Sequence, residues 1–148
     1  MKASSDPRTF LGVRSGDTGD RSGQKTTRAK RVLIVDDHNL FRAALGLTME
    51  LHDGFKTVQA GSLAEAHSTM RDPKISLNVA VIDLDLLDAA SFELIAELGN
   101  AEIPVLALTT TQDPVRRTRA LEVGAEEVLT TTVPLKEIIA TVLRLSGA

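Results

Sequence analysis

The sequence predicts an α/β fold: a five-stranded parallel sheet with five helices covering both of its faces. Three observations predict it. Five short aliphatic runs are separated by segments whose apolar residues recur at helical spacing. The two clearest runs, Val32-Leu33-Ile34-Val35 and Val79-Ala80-Val81-Ile82, are continuously apolar rather than alternating, the pattern of strands buried on both faces. Strand and helix alternate strictly, which implies right-handed crossovers between parallel neighbours. No internal repeat is visible, and 148 residues suit one domain with a core of ordinary size.

The elements follow in order. Arg31 opens the first strand, which runs through Val35 into Asp36 and Asp37. Leu40, Phe41, Ala44, Leu45 and Leu47 to Met49 then recur as in a helix, with Gly54 as its stop. Phe55, Val58 and Ala60 suggest a short second strand. Ser62-Leu63-Ala64-Glu65 reads as a capping box opening a helix to about Arg71, with Pro73 beyond it. The third strand, about 78–83, ends in Asp83, with Asp85 two positions on. A helix is expected from Ser91 to Leu98, stopped by Gly99-Asn100. Pro104 to Leu108 is the fourth strand and ends in Thr109-Thr110-Thr111. Asp113-Pro114 matches an N-cap followed by proline in the first helical position, and that helix runs to about Val123 before Gly124. Val128-Leu129 is a short fifth strand ending in Thr130-Thr131-Thr132. Pro134 opens the last helix, which carries Leu135, Ile138, Ile139, Val142 and Leu143 on one face.

With four Phe and neither Tyr nor Trp, the core must be aliphatic, and little is left for stacking on nucleic-acid bases. The absence of cysteine excludes disulfides and thiolate metal sites and fits a reducing compartment. No apolar run approaches a membrane span, and the N-terminus lacks the apolar centre of a signal peptide, so the expected location is the cytoplasm, without a membrane partner.

Charge divides the chain. Residues 1–30 carry seven basic and three acidic side chains, a net +4, which leaves ten basic and seventeen acidic residues, a net −7, for the rest. Rich in Gly, Ser and Thr and without periodicity, residues 1–30 read as a disordered basic tail, and residues 31–148 as the folded domain. Within the tail, Gly19 to Thr26 nearly matches a phosphate-binding loop. Gln24 replaces its required second glycine, and no strand leads into it, so a solvated tail is the reading taken.

Four strand ends deliver polar groups to one edge: Asp36-Asp37, Asp83 with Asp85, Thr109 and Thr131. Two carboxylates about 4 Å apart repel by about 4 kcal/mol at an effective dielectric near 20. A cation relieves that repulsion, and hard oxygen ligands favour Mg²⁺, which commonly bridges carboxylates to a phosphate. The chemistry suggested is phosphoryl transfer with one carboxylate as nucleophile. Taken singly, each acidic group could be a helix cap or a loop acid. Two such groups and a hydroxyl at successive strand ends argue for a site. His38, beside the acidic pair, reads as a solvated loop residue.

The stretch Val32-Leu-Ile-Val-Asp36-Asp37-His38-Asn-Leu-Phe-Arg-Ala-Ala-Leu45 resembles the opening of a response-regulator receiver domain, most closely the class carrying a LuxR-type helix-turn-helix output domain. The resemblance covers about residues 31–146. It implies a flavodoxin-like (CheY-like) fold with strand order 2-1-3-4-5, and a two-component phosphorelay controlling transcription. It makes Asp83 the phospho-acceptor. Asp36 and Asp37 organise Mg²⁺ together with Asp83 and the backbone carbonyl of Asp85. Thr109 becomes the hydroxyl that binds the phosphoryl group, and Asp85 and Thr111 the positions that tune its hydrolysis. The implied partner is a sensor histidine kinase or phosphotransfer protein, with a homodimer through the last strand–helix face as a further possibility. No direct nucleic-acid contact is implied for this domain, and no enzymatic activity beyond slow self-dephosphorylation.

The chain departs from the family pattern. Thr131 stands where the family has a lysine that pairs with the phosphoryl group, and Val128 stands at the aromatic switch position. Leu87 and Ser91 replace the usual Pro and Gly after the acceptor. These departures open a second reading, a phosphorylation-independent docking or dimerisation module. A basic side chain reaching the pocket from elsewhere, such as Lys136 or Arg42, would favour phosphorylation. A third reading, a haloacid-dehalogenase-like phosphatase, rests on Asp83-Leu84-Asp85 as a D-x-D motif, but that motif belongs near the start of such a domain. Any output domain lies outside this sequence, which ends just after the last helix.

Overall fold

The computed structural model describes residues 29–86 and 88–147. Most of the tail, including Gly19 to Thr26, and Leu87 lie outside the described residues. Ten elements alternate: β1 (Arg31–Val35), α1 (Asn39–Asp53), β2 (Lys56–Ala60), α2 (Leu63–Arg71), β3 (Val79–Asp83), α3 (Asp88–Asn100), β4 (Val105–Thr109), α4 (Pro114–Val123), β5 (Glu127–Thr130) and α5 (Leu135–Leu145). All strand pairs are parallel, and the order is β2-β1-β3-β4-β5, as expected.

The central strands β3 and β4 are buried at every position, and alternate residues feed two separate cores. Leu33, Val35, Ala80, Ile82 and Ala107 pack with Leu63, Leu94, Ile95 and Leu98 on one face of the sheet. Val32, Ile34, Val79, Val81, Leu106 and Leu108 pack with Leu45, Met49, Ile138 and Val142 on the other. Burial of aliphatic surface on both faces is the dominant stabilising term, about 25 cal/mol per Å² removed from water.

Register positions the site. Val35 pairs with Ile82, so Asp36 leaves β1 level with the point where Asp83 ends β3. Asp83 in turn pairs with Leu108, and Thr109 with Thr130. The order of strands reverses between β1 and β3, and a crevice at such a switch point is the general ligand site of open α/β sheets.

Several local expectations hold with changes. The Oγ of Ser62 accepts from the Glu65 N–H at 3.2 Å, while the Glu65 carboxylate receives the N–H of Gly61 rather than of Ser62 itself. Asp113 caps α4 by accepting from the Val115 N–H at 2.9 Å. Gly54 closes α1 with φ 72°. The strand predicted from Pro104 begins at Val105, and β5 stops at Thr130, which leaves Thr131 just beyond it.

Two differences are larger. Helix α3 spans Asp88–Asn100 rather than Ser91 to Leu98, because Gly99 does not stop it. The Ile103 N–H donates to the Leu98 carbonyl and the Glu102 N–H to that of Gly99, both at 2.9 Å, a Schellman closure with Glu102 in the left-handed position at φ 62°. In α1 only Leu45 and Met49 of the predicted apolar set are large buried side chains. Leu40, Leu47 and Leu51 point outward, Leu40 with 86% of its surface exposed.

The start of β1 and the end of α5 are tied by the Lys30 ammonium, which donates to the Ser146 carbonyl at 2.6 Å. Among the described residues no helix is long and apolar enough to cross a membrane.

Candidate functional site

Asp83 ends a fully buried strand and is itself 5% exposed. One of its oxygens is anchored by the Asp85 N–H at 2.8 Å. Asp36, 4% exposed, comes from the neighbouring strand, and its Oδ1 accepts the His38 N–H at 2.8 Å. Asp37 follows in the exposed β1–α1 loop. One ligand atom from each of Asp36, Asp37, His38 and Asp83 lies within 4.8 Å of all the others. The predicted acidic cluster is therefore assembled by two adjacent strand ends.

The electrostatics follow from this crowding. The Asp83 carboxyl is pushed up to about 6, first by burial, with the neighbouring carboxylates Asp36, Asp85 and Asp37 adding to it and the Asp85 N–H opposing it. His38 is raised above its usual value by its hydrogen bond to Asp36 and by the charges of Asp36 and Asp37. Its Nδ1 sits 2.9 Å from Asp36, 3.3 Å from Asp37 and 3.9 Å from Asp83. Read from sequence as a solvated loop residue, His38 is exposed as expected, yet its ring turns back onto the carboxylates.

Thr109 and Thr131 arrive at the same edge, and the hydrogen bonds they make there go to groups other than Asp83. The Thr109 hydroxyl donates to Asp85 Oδ1 at 3.3 Å, and its own oxygen accepts the Thr111 N–H at 3.2 Å. Thr131 donates its backbone N–H to the Thr109 carbonyl at 2.9 Å, in line with the parallel ladder. Thr111 is exposed, and its hydroxyl accepts the Asp113 N–H at 3.4 Å. Val128 is buried in the core, and its carbonyl receives Arg117 Nη1 at 2.8 Å. Ser91, at the glycine position, is fully buried with its hydroxyl donating to the Asp83 carbonyl at 3.3 Å.

Among the described residues neither basic candidate named from sequence forms an ion pair with Asp83. Arg42 spends its guanidinium on the Asp36 carbonyl, Asn39 and Gln59, on the β2 side. Lys136 is exposed in the first turn of α5. The cation beside the acceptor loop is Arg116, whose Nη2 lies 3.3 Å from Asp85 Oδ1 and also donates to the Leu84 carbonyl. Sequence reading passed over it. A signal existed: Arg116 and Arg117 stand in the first turn of α4, where the helix dipole disfavours cations, so a nearby anion was to be sought.

The family model described as response regulator receiver domain matches residues 32–143. The phosphate regulon transcriptional regulatory protein PhoB of Pseudomonas aeruginosa is 30% identical over 125 residues, which cover 80% of this chain and 53% of that protein. The chain thus spans about half the length of that relative. Among solved structures, a CheY-like response regulator receiver domain protein from Methanospirillum hungatei superposes with a TM-score of 0.73 at 19% identity, covering 81% of this chain and 95% of that one. A Burkholderia pseudomallei response regulator, solved with a phosphorylated aspartic acid, a calcium ion and citrate, gives 0.68 at 23%, covering 80% and 69%. Asp83 also ends the third strand rather than lying near the start of the domain, which leaves the phosphatase reading without support. The chain belongs to the response regulator receiver domain family.

Proposed function

We propose that Asp83 accepts a phosphoryl group from a sensor histidine kinase or phosphotransfer protein, and that the phosphorylated domain changes its contacts with a partner or output domain, with transcription as the end effect. The observation that carries this is the cluster itself: a buried carboxylate at the switch point of the sheet, with Asp36, Asp37 and His38 within 4.8 Å. The residues fit a divalent cation, since three carboxylates converge and burial leaves Asp83 short of compensating charge. Asp36, Asp37, Asp83 and the backbone carbonyl of Asp85 would hold Mg²⁺, which supplies charge compensation for the transferring group.

The protein's own part is nucleophilic. A carboxylate oxygen of Asp83 attacks phosphorus, a P–O bond forms as the P–N bond to the donor histidine breaks, and the leaving imidazole nitrogen takes up a proton. The Asp85 N–H orients the attacking carboxylate. The phosphorylated aspartate of the Burkholderia structure supports this reading by fold likeness. A homodimer through the β5–α5 face, where Leu135 keeps 36% of its surface exposed, belongs to the same proposal. DNA contact, where it is the end effect, belongs to a separate output domain, and the LuxR-type class stays part of the proposal.

A second reading has one observation in its favour. The Thr109 hydroxyl is engaged by Asp85, and Thr131, just beyond β5, and Val128, within it, stand in place of a lysine and an aromatic ring. A phosphorylation-independent docking module would need none of these groups. Acetyl phosphate with Mg²⁺ decides between the two: intact mass rises by one phosphoryl group in the wild type and not in Asp83→Ala. A wild type that takes up neither phosphoryl nor beryllofluoride leaves the docking module as the function.

A further inference from the structure

Asp85 is surrounded by donors. Its Oδ2 receives the Thr110 N–H at 2.8 Å and the Thr110 hydroxyl at 3.0 Å. Its Oδ1 receives the Thr109 hydroxyl at 3.3 Å and faces Arg116 Nη2 at 3.3 Å. Two hydroxyls, one backbone N–H and one guanidinium therefore converge on a single carboxylate, from the end of β4 and the first turn of α4. This is the donor set of an anion site, with charge-assisted bonds among the strongest available to a protein.

We propose that Asp85 fills from within an anion site that Thr109, Thr110 and Arg116 form beside Asp83, and that a phosphoryl group on Asp83 takes Thr109 and Arg116 over from it. The inference rests on Asp83 being the acceptor. Arg116 then acts as a positioning cation in place of the lysine that Thr131 replaces.

The mechanics follow from charge. A phosphoryl group adds between about −1.5 and −2 charge and three acceptor oxygens. It would arrive two residues from Asp85, whose N–H is already bonded to Asp83. The two anions repel, and the hydroxyl and guanidinium follow the larger charge. Arg116 also holds the Leu84 carbonyl, so its movement transmits to both the β3–α3 loop and the start of α4. Such a response needs no aromatic ring at Val128. Before phosphorylation, the internal carboxylate keeps the β4–α4 loop in one conformation and competes with the incoming group.

The test compares wild type, Asp85→Ala, and two double variants in which Asp85→Ala is combined with Arg116→Ala or with Arg116→Lys. Each is incubated with acetyl phosphate and Mg²⁺, and the phosphorylated fraction and its decay are followed by intact mass. Thermal unfolding checks that each variant is folded, and Arg116→Lys retains the charge where Arg116→Ala is poorly folded. Removing the internal competitor is expected to lengthen the phosphoryl lifetime in Asp85→Ala by about tenfold, the scale of one charged hydrogen bond. In the Asp85→Ala background, Arg116→Ala should shorten that lifetime by a similar factor and Arg116→Lys restore part of it. An Arg116 that merely braces Asp85 would be silent once Asp85 is gone, and that silence overturns the inference while leaving Asp83 the acceptor. An Asp85→Ala lifetime equal to or shorter than wild type also overturns it. Absence of uptake by both wild type and Asp85→Ala removes the acceptor reading, and the inference with it.

Discussion

The Nδ1 of His38 lies 2.9 Å from the Oδ1 of Asp36, so the buried acidic edge of the sheet is closed from the solvent side by a group that is charged only when protonated. Two titrations therefore shape the stability of the metal-free protein.

Asp83 keeps its proton to about pH 6 in the fold, against about 4 in an unfolded chain. Between those values the folded state binds more protons, so stability falls as pH rises from about 4 to about 6, by about 2 to 3 kcal/mol in total. His38 is shifted the same way, and its contribution, complete below its ordinary pKa near 6.5, is lost as pH rises through its raised folded value. Denaturant unfolding in EDTA across pH 4 to 8 should show stability declining through both windows. Asp83→Asn should flatten the lower window, and His38→Ala the upper one.

Mg²⁺ is expected to reverse that decline. A ligand that binds only the folded state at a hundred times its Kd stabilises by about 2.7 kcal/mol. The melting temperature at pH 8 should rise with Mg²⁺ and fall back on chelation. Asp37→Ala removes an exposed ligand without disturbing the core, and should lose most of the gain while melting normally without the metal. An equal Mg²⁺ response in both proteins would place the cation elsewhere.

Asp113 caps the helix that carries Arg116. Replacing it with alanine should cost about 1 kcal/mol by equilibrium unfolding, the usual penalty for a lost N-cap. Because Arg116 lies in the first turn beyond that cap, the phosphoryl lifetime should change as well, whereas Ser62→Ala in α2 should alter stability alone.

Glu102 holds a left-handed backbone, which costs an L residue about 1 kcal/mol or more that glycine avoids. Glu102→Gly is therefore expected to stabilise the domain by a few tenths to about 1 kcal/mol, the relieved strain being partly offset by the greater chain entropy that glycine loses on folding. Phosphoryl uptake should be unaffected.

The sheet was legible because burial on both faces leaves a run such as Val79-Ala80-Val81-Ile82 no polar position. The acidic cluster was legible for a related reason: carboxylates at the ends of such strands have no packing role. Periodicity was less informative in α1, where Leu40, Leu47 and Leu51 satisfy helical spacing yet face outward. The end of α3 was misplaced because a glutamate takes the position that glycine usually fills. Arg116 went unnoticed because its partner Asp85 is brought to it only by the β3–β4 register and the turn into α4. Contacts of that kind are properties of the assembled sheet.

The Lys30–Ser146 hydrogen bond has a bearing on how any signal leaves the domain. Lys30 and Ser146 meet at the end of the sheet opposite Asp83, across about 20 Å of strand at ~3.3 Å per residue. An effector tethered at either of these two residues would have no direct view of Asp83. Were Asp83 phosphorylated as proposed, such an effector would respond through a flank of the domain, or through the company the domain keeps.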